Sequence, residues 1–207
     1  TPQNQSLVPE RNRNYEIGTK WAVADGHLLL TAALFRTEKT NARVTTGAGS
    51  AAVTNLEGEQ RVDGIELGMA GNFGERLSLF GGYTWLDTEI VSSPDPNQVG
   101  KSLPNVAERS FSLQARYQWT DAFAIGGTAS YASEINGGTV FATSTEIPDW
   151  WRGDLFAEYR FTAGLSARLN VLNLTDETYF DTLYRSATPF VYVAPGRSAQ
   201  LTFEYEF

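Results

Sequence analysis

The sequence predicts an all-β protein, an antiparallel β-barrel that crosses a membrane on its strands. Three features predict it. Apolar and polar residues alternate with period two along most of the 207 residues, and a helical period is hard to find. The connections between alternating stretches are short and long in turn, the loop asymmetry of bacterial barrels. The last eight residues, Gln200 to Phe207, alternate without a fault and stop on an aromatic, the pattern of a closing barrel strand.

Alternation places nine strands at about 12–23, 27–44, 60–73, 77–91, 109–119, 123–134, 149–161, 165–175 and 196–207. In the first, Tyr15, Ile17, Trp21 and Val23 oppose Asn14, Glu16 and Lys20. In the fifth, Phe111, Leu113, Ala115, Tyr117 and Trp119 oppose Ser110, Ser112, Gln114, Arg116 and Gln118. The seventh sets Trp151, Leu155, Tyr159 and Phe161 against Arg152, Asp154, Glu158 and Arg160, with Phe156 the exception on the polar side. Tight turns are expected at Asp25-Gly26, Gly74-Glu75-Arg76, Thr120-Asp121-Ala122 and Thr162-Ala163-Gly164, whose residues suit hairpins. Long connections are expected at about 45–59, 92–108, 135–148 and 176–195. Trp21, Trp85, Trp119, Trp150, Trp151, Tyr83, Tyr159 and Phe207 gather towards strand ends, as interfacial girdles do.

Composition narrows the class. Without cysteine there is neither a disulfide framework nor a thiol catalyst. A net charge of −8 argues against a nucleic-acid-binding face. No apolar run approaches the roughly 20 residues of a spanning helix. A mean hydropathy of −0.28 does not oppose a barrel, in which every second residue faces water. Thr1 to Ser6 reads as polar loop, so an export signal is expected upstream or already removed. Single-chain bacterial barrels have even strand counts, so nine strands with ends on opposite rims suggest the last part of a larger barrel.

Several stretches then resemble one family. Asn14-Tyr15-Glu16-Ile17-Gly18-Thr19-Lys20-Trp21 resembles the Y-E-x-G-x-K strand of TonB-dependent siderophore receptors. Arg61-Val62-Asp63-Gly64-Ile65-Glu66-Leu67 and Gly81-Gly82-Tyr83-Thr84-Trp85-Leu86-Asp87 resemble its next hairpin. Gly100-Lys101-Ser102-Leu103-Pro104-Asn105-Val106 resembles its G-x-x-L-P-N-x-P loop, with Val106-Ala107 where the family usually shows Pro. Leu169 to Asp176 followed by Tyr179-Phe180 resembles N-V-x-N-L-x-D-x-x-Y, and Pro195-Gly196-Arg197 its final P-G-R. Residues 35–43 and 193–198 look most like the catecholate branch. The resemblance implies a barrel of about 22 strands with a plug in its lumen, of which residues 1–207 would be the carboxy-terminal part, without plug or TonB box. It implies import of a ferric siderophore as transported ligand, with no directly bound cofactor, no resident metal and no catalysis. The partners implied are the TonB system through the plug, outer-membrane lipid and the outer-membrane assembly machinery, in a Gram-negative cell outer membrane.

A ferric catecholate is bulky, aromatic and anionic, so its pocket calls for guanidinium or ammonium charge and aromatic surface. The long-loop end offers Arg43, Lys101, Trp150, Arg152, Tyr184, Arg185 and Tyr192, with Phe190 beside them. The bland reading of each is an ordinary loop or girdle residue. Phe203, Tyr205 and Phe207 serve as lipid-facing packing, an assembly signal, or both. His27, the single histidine, reads as a turn residue, and a Ser–His–Asp site would have to rest on it. Glu204 and Glu206 read as lumen carboxylates rather than an acid/base pair. Two alternatives stay open: a small stand-alone porin or adhesin barrel, and a soluble lipocalin-like binding barrel.

Overall fold

The computed structural model describes residues 8–46, 53–137, 146–184 and 190–207. The described residues form thirteen strands: β1 Arg11–Val23, β2 Leu28–Thr46, β3 Val53–Phe73, β4 Leu77–Ser92, β5 Arg109–Gln118, β6 Phe123–Ala132, β7 Ile135–Asn136, β8 Glu146–Ile147, β9 Trp150–Arg160, β10 Leu165–Leu172, β11 Phe180–Tyr184, β12 Phe190–Val193 and β13 Ser198–Tyr205. Nine of them make one sheet in the order β1-β2-β3-β4-β5-β6-β9-β10-β13, and every pairing is antiparallel. These are the nine strands that alternation predicts. The four short ones pair as separate hairpins, β7 with β8 and β11 with β12, inside connections expected to be plain loops.

One boundary differs substantially from expectation. β2 and β3 run on to Thr46 and back from Val53, with register shifts after Lys39 and Ala42, so the predicted loop over 45–59 is largely strand. The expected turns all form. In the first, Ala24, Asp25 and Gly26 take left-handed φ of 52°, 55° and 87°, which a non-glycine residue adopts only when the turn demands it.

Residues paired directly across antiparallel strands share a face, so the register carries one face right across the sheet. Leu201 on β13 lies opposite Leu169, which faces Ala157, then Ile125, Tyr117 and Leu77. Tracing this face from Tyr15 to Val23, Leu28 to Leu34, Ile65 to Phe73, Leu77 to Trp85, Phe111 to Tyr117, Phe123 to Tyr131, Trp151 to Tyr159, Leu165 to Val171 and Ala199 to Tyr205 meets no charged side chain. It is also exposed: Ile17 by 74%, Leu34 by 54% and Phe203 by 63%. The total accessible area, 13755 Å² for 22.8 kDa, exceeds the ~9,600 Å² expected of a compact soluble chain of that mass. The enclosed-core alternative fails here, because the apolar residues do not converge on one another.

The uncharged band has definite limits. From Tyr15 to Val23, eight rises of ~3.4 Å span about 27 Å along the strand. Strand tilt brings this near the ~25 Å apolar height of an outer-membrane barrel. At its outer limit, directly opposite Tyr15 on the same face, Arg36 makes two bonds to Asp63 at 2.6 and 2.9 Å. Arg61 bridges Asp63 and Glu89. Aromatics flank the band at both edges. Tyr131 and Phe111 pack on Trp151 at the loop end, with ring centroids 4.6 and 6.2 Å away. Tyr159–Phe161 and Tyr117–Trp119 pair at the turn end. Trp150 lies on the polar face, as its place in the alternation beside Arg152 predicts, with its ring tilted against that of Tyr179, so of the aromatics near strand ends it takes no part in a lipid-facing girdle.

The opposite face carries Glu16, Lys20, Glu66, Arg116, Arg152, Asp154, Glu158 and Arg168. Glu158 accepts from Arg116 at 2.8 Å and pairs with Arg168 at 3.2 Å. Phe156, the exception in the alternation, is buried here under the Arg168 guanidinium, 4.6 Å from its ring centre. Its ring fills the space above Gly126, where any Cβ would collide with it. Phe35 covers Gly64 in the same way, which explains two glycines inside strands.

A positive charge at the middle of the apolar face should be far costlier than one beside it on the polar face. Leu113→Arg is expected to destabilise the bilayer-inserted protein by ~2–4 kcal/mol, and Gln114→Arg by less than about 0.5 kcal/mol. Urea titration in lipid vesicles measures both.

Candidate ligand face at the outer end

The long connections gather at one end of the sheet, and there the chain builds a part-buried cluster of hydrogen-bonded polar groups. β9 supplies Trp150, Arg152 and Asp154 on its polar face. Arg152 grips Asp154 through Nε and Nη2, both at 2.8 Å, and its Nη1 donates to the Tyr179 hydroxyl at 3.2 Å. The Tyr179 ring lies 4.5 Å from that of Trp150, at 32°. Asp154 also accepts the Asn173 backbone N–H at 2.8 Å. Tyr179 and Asn173 are buried, so the wall and the segment after β10 are locked together by charge-assisted bonds and a ring contact.

Beyond this lock, the β11–β12 hairpin shows a different surface. Tyr184 stacks on Phe190 at 4.8 Å and 23°, and Phe190 meets Tyr192 edge-on at 5.4 Å. The three are about half exposed, while Leu183 beneath them is buried. Asn105, from the connection before β5, donates to the Leu183 carbonyl at 3.2 Å and ties the hairpin to that connection.

The residues expected to meet a ligand thus fall into three places. Trp150 and Arg152 are together, but both are engaged by Tyr179. Tyr184 and Tyr192 are together and open; Arg185 lies outside the described residues. Arg43 and Lys101 stand apart from these. The Arg43 side chain is exposed and its backbone N–H donates to Glu10 at 3.0 Å. Lys101 is exposed where the connection after β4 folds back, its carbonyl accepting from Ile90 at 2.9 Å. A cleft of about 550 Å³ near the outer ends of β4, β5 and β6 uses none of them. Asp87, Glu108, Glu134, Glu146 and Asp149 line it against Arg109 alone, the wrong sign for an anionic ligand.

Sequence reasoning missed Asp154, Asn173 and Tyr179 as members of this site. Asp154 stands two positions after Arg152 on a strand, hence on the same face, and that spacing was the available signal. Glu10 is held below the ordinary carboxylate range by hydrogen bonds from Lys39 and from the Arg43 backbone.

A single sheet with an exposed, uncharged apolar band on one face, charges across the other and its connections massed at one end defines a segment of an outer-membrane β-barrel wall. A family model for the TonB dependent receptor-like β-barrel matches residues 1–174. The chain belongs to that family. It is 36% identical over 99% of its length to the probable TonB-dependent receptor BfrD of Bordetella pertussis, covering 28% of that protein. It is 36% identical over 86% of its length to the catecholate siderophore receptor Fiu of Escherichia coli, covering 23% of it. The crystal structure of the siderophore receptor PiuA of Acinetobacter baumannii superposes with a TM-score of 0.87 at 33% identity, over 99% of this chain and 30% of that one. The closed form of Fiu superposes with a TM-score of 0.86 at 31% identity, over 100% and 29%. The chain therefore spans under a third of the length of these relatives.

Two outcomes follow from the geometry. Arg152→Ala strands the Asp154 carboxylate in a half-buried site and should cost about 1–3 kcal/mol. Arg152→Lys should recover only part of that, because an ammonium cannot make the paired bonds; thermal unfolding of the receptor reports both. Glu10, with its depressed pKa, ties the segment before β1 to β2 at neutral pH. That contribution is present above the unfolded pKa and is lost as pH falls through the lower folded value. A carbon-13 titration of Glu10 should therefore show a midpoint below that of a free glutamate, and Lys39→Gln should raise it.

Proposed function

We propose that this chain supplies wall and outer loops to a TonB-dependent receptor that imports a ferric siderophore of the catecholate type. The observation that carries the reading is the pairing of an uncharged, exposed sheet face with an aromatic, cation-bearing loop end, in a chain whose relatives are receptors named for siderophores. The activity is capture and transport, without catalysis. Iron enters as cargo inside its chelator.

In this reading the open Tyr184–Phe190–Tyr192 face offers rings to a catechol, and Arg43, Lys101 and Arg185 offer positive charge to its oxygens. Trp150 and Arg152 are already engaged by Tyr179 and Asp154, so their contribution is to the wall first. Energy would reach the bound chelate through a plug domain and the TonB system. Phe203, Tyr205 and Phe207, exposed on the apolar face of the sheet's edge strand, would meet lipid and serve as the assembly signal.

The test is iron-limited growth of a strain lacking the receptor, complemented by the full-length gene. Growth should return with a ferric catecholate and not with a ferric hydroxamate. The double variant Tyr184→Ala/Tyr192→Ala should weaken chelate binding about tenfold or more, the weight of two lost ring contacts. Equal growth on both chelates would overturn the catecholate assignment. Unchanged binding in the double variant would overturn the aromatic site.

A further inference from the structure

The Asn173–Asp176 stretch and the Pro195-Gly196-Arg197 stretch are far apart in sequence and meet in space. Asn173 is almost completely buried, with 1% of its surface exposed. Its Nδ2 donates to the carbonyl of Glu177 at 2.9 Å and to that of Pro195 at 3.2 Å, while its Oδ1 accepts from the Glu177 N–H at 2.9 Å. One amide thus holds both the point where the chain leaves for the β11–β12 hairpin and the point where it returns. Asp176 adds a second tie: its Oδ1 accepts from the Arg197 N–H at 2.7 Å. A Cβ at Gly196 would crowd that same oxygen at 3.2 Å. Just beyond the clamp, the Ala194 N–H donates to the Tyr179 carbonyl at 2.9 Å, and the hairpin ladder continues to Tyr184 and Phe190.

We propose that Asn173 is a positioning residue: it fixes where the outer hairpin departs from and re-enters the wall, and so where the Tyr184–Phe190–Tyr192 face is presented. The consequence for ligand rests on the function proposed above; the geometry does not. The residue type follows from the chemistry. The site needs two donors and an acceptor on one short side chain, on a backbone with φ of 51°. Asparagine supplies all three and tolerates left-handed φ. Aspartate has the same size and tolerance, but it would face two carbonyl oxygens with a carboxylate. Every group that Asn173's side chain binds is main chain, so the clamp places no demand on the side chains carried by the hairpin. The ring face can then vary while its position is kept.

The test uses the full-length receptor in lipid, with spin labels introduced by Val193→Cys on the hairpin and Ala129→Cys on the wall. The parent should give one narrow inter-label distance. Asn173→Gly, which keeps the backbone conformation and removes the side chain, should broaden or shift it. Asn173→Asp should do so at least as strongly. Both should weaken binding of a ferric tris-catecholate chelate about tenfold, as one buried hydrogen-bonding group is worth, with little change in barrel melting. A distance unchanged in both variants would overturn the proposal, as would a failure of both to assemble as barrels, because the residue's role would then be in folding. A broadened distance with unchanged affinity would overturn the link to binding. If even the parent binds no chelate, the functional reading fails and the distance alone decides the clamp.

Discussion

The constraint on which the rest depends is that hydrocarbon cannot hydrogen-bond. A segment crossing it must satisfy its backbone laterally and show lipid only apolar side chains. The nine-stranded sheet does both. Its strands exchange their backbone bonds with neighbours, and each devotes alternate positions to one uncharged apolar band. The other alternate positions are then free to carry charge, and they carry the Arg116–Glu158–Arg168 cluster and the Arg152–Asp154 pair. A soluble sheet of this size would cover its apolar face with a second layer. Here that face stays open and is bounded by rings and ion pairs, so its height is written into the side chains.

Because the wall is so regular, the irregular features stand out as devices. Phe156 and Phe35 break the alternation, and each covers a strand glycine that would otherwise leave a gap. Asn173 and Asp176 take left-handed backbone where the chain turns off the wall. Arg152, Asp154 and Tyr179 spend their polar groups on one another. The outer end is thus a rigid seat from which a small hairpin projects an aromatic surface.

The sheet was legible because period two is a strong local signal, and tight turns such as Ala24–His27 declare themselves by residue type. The four short strands were not legible. β7 and β8 have two residues each and β11 and β12 five and four, too few for alternation to register. The extension of β2 and β3 towards Thr46 and Val53 was hidden by register shifts, which put the side chains out of phase. At the site, composition pointed to rings and cations but could not tell which were free. Trp150 and Arg152 looked available because Tyr179 lies 27 positions from Arg152, a separation no local pattern bridges. The motif residues Asn173, Asp176 and Pro195-Gly196-Arg197 were visible as a resemblance; only coordinates show that they form one clamp.

The central claim is that one face of this sheet meets hydrocarbon and the other water. These 207 residues contain no cysteine, so a label introduced here has no competing thiol within this part of the wall. Spin labels placed in turn at residues 110–117 of the receptor in lipid bilayers should alternate in their collision partners. At 111, 113, 115 and 117 they should meet oxygen dissolved in the membrane, and at the even positions a water-soluble nickel complex. Odd-numbered labels shielded from both reagents would show the apolar residues packed into a closed protein interior and would contradict the account.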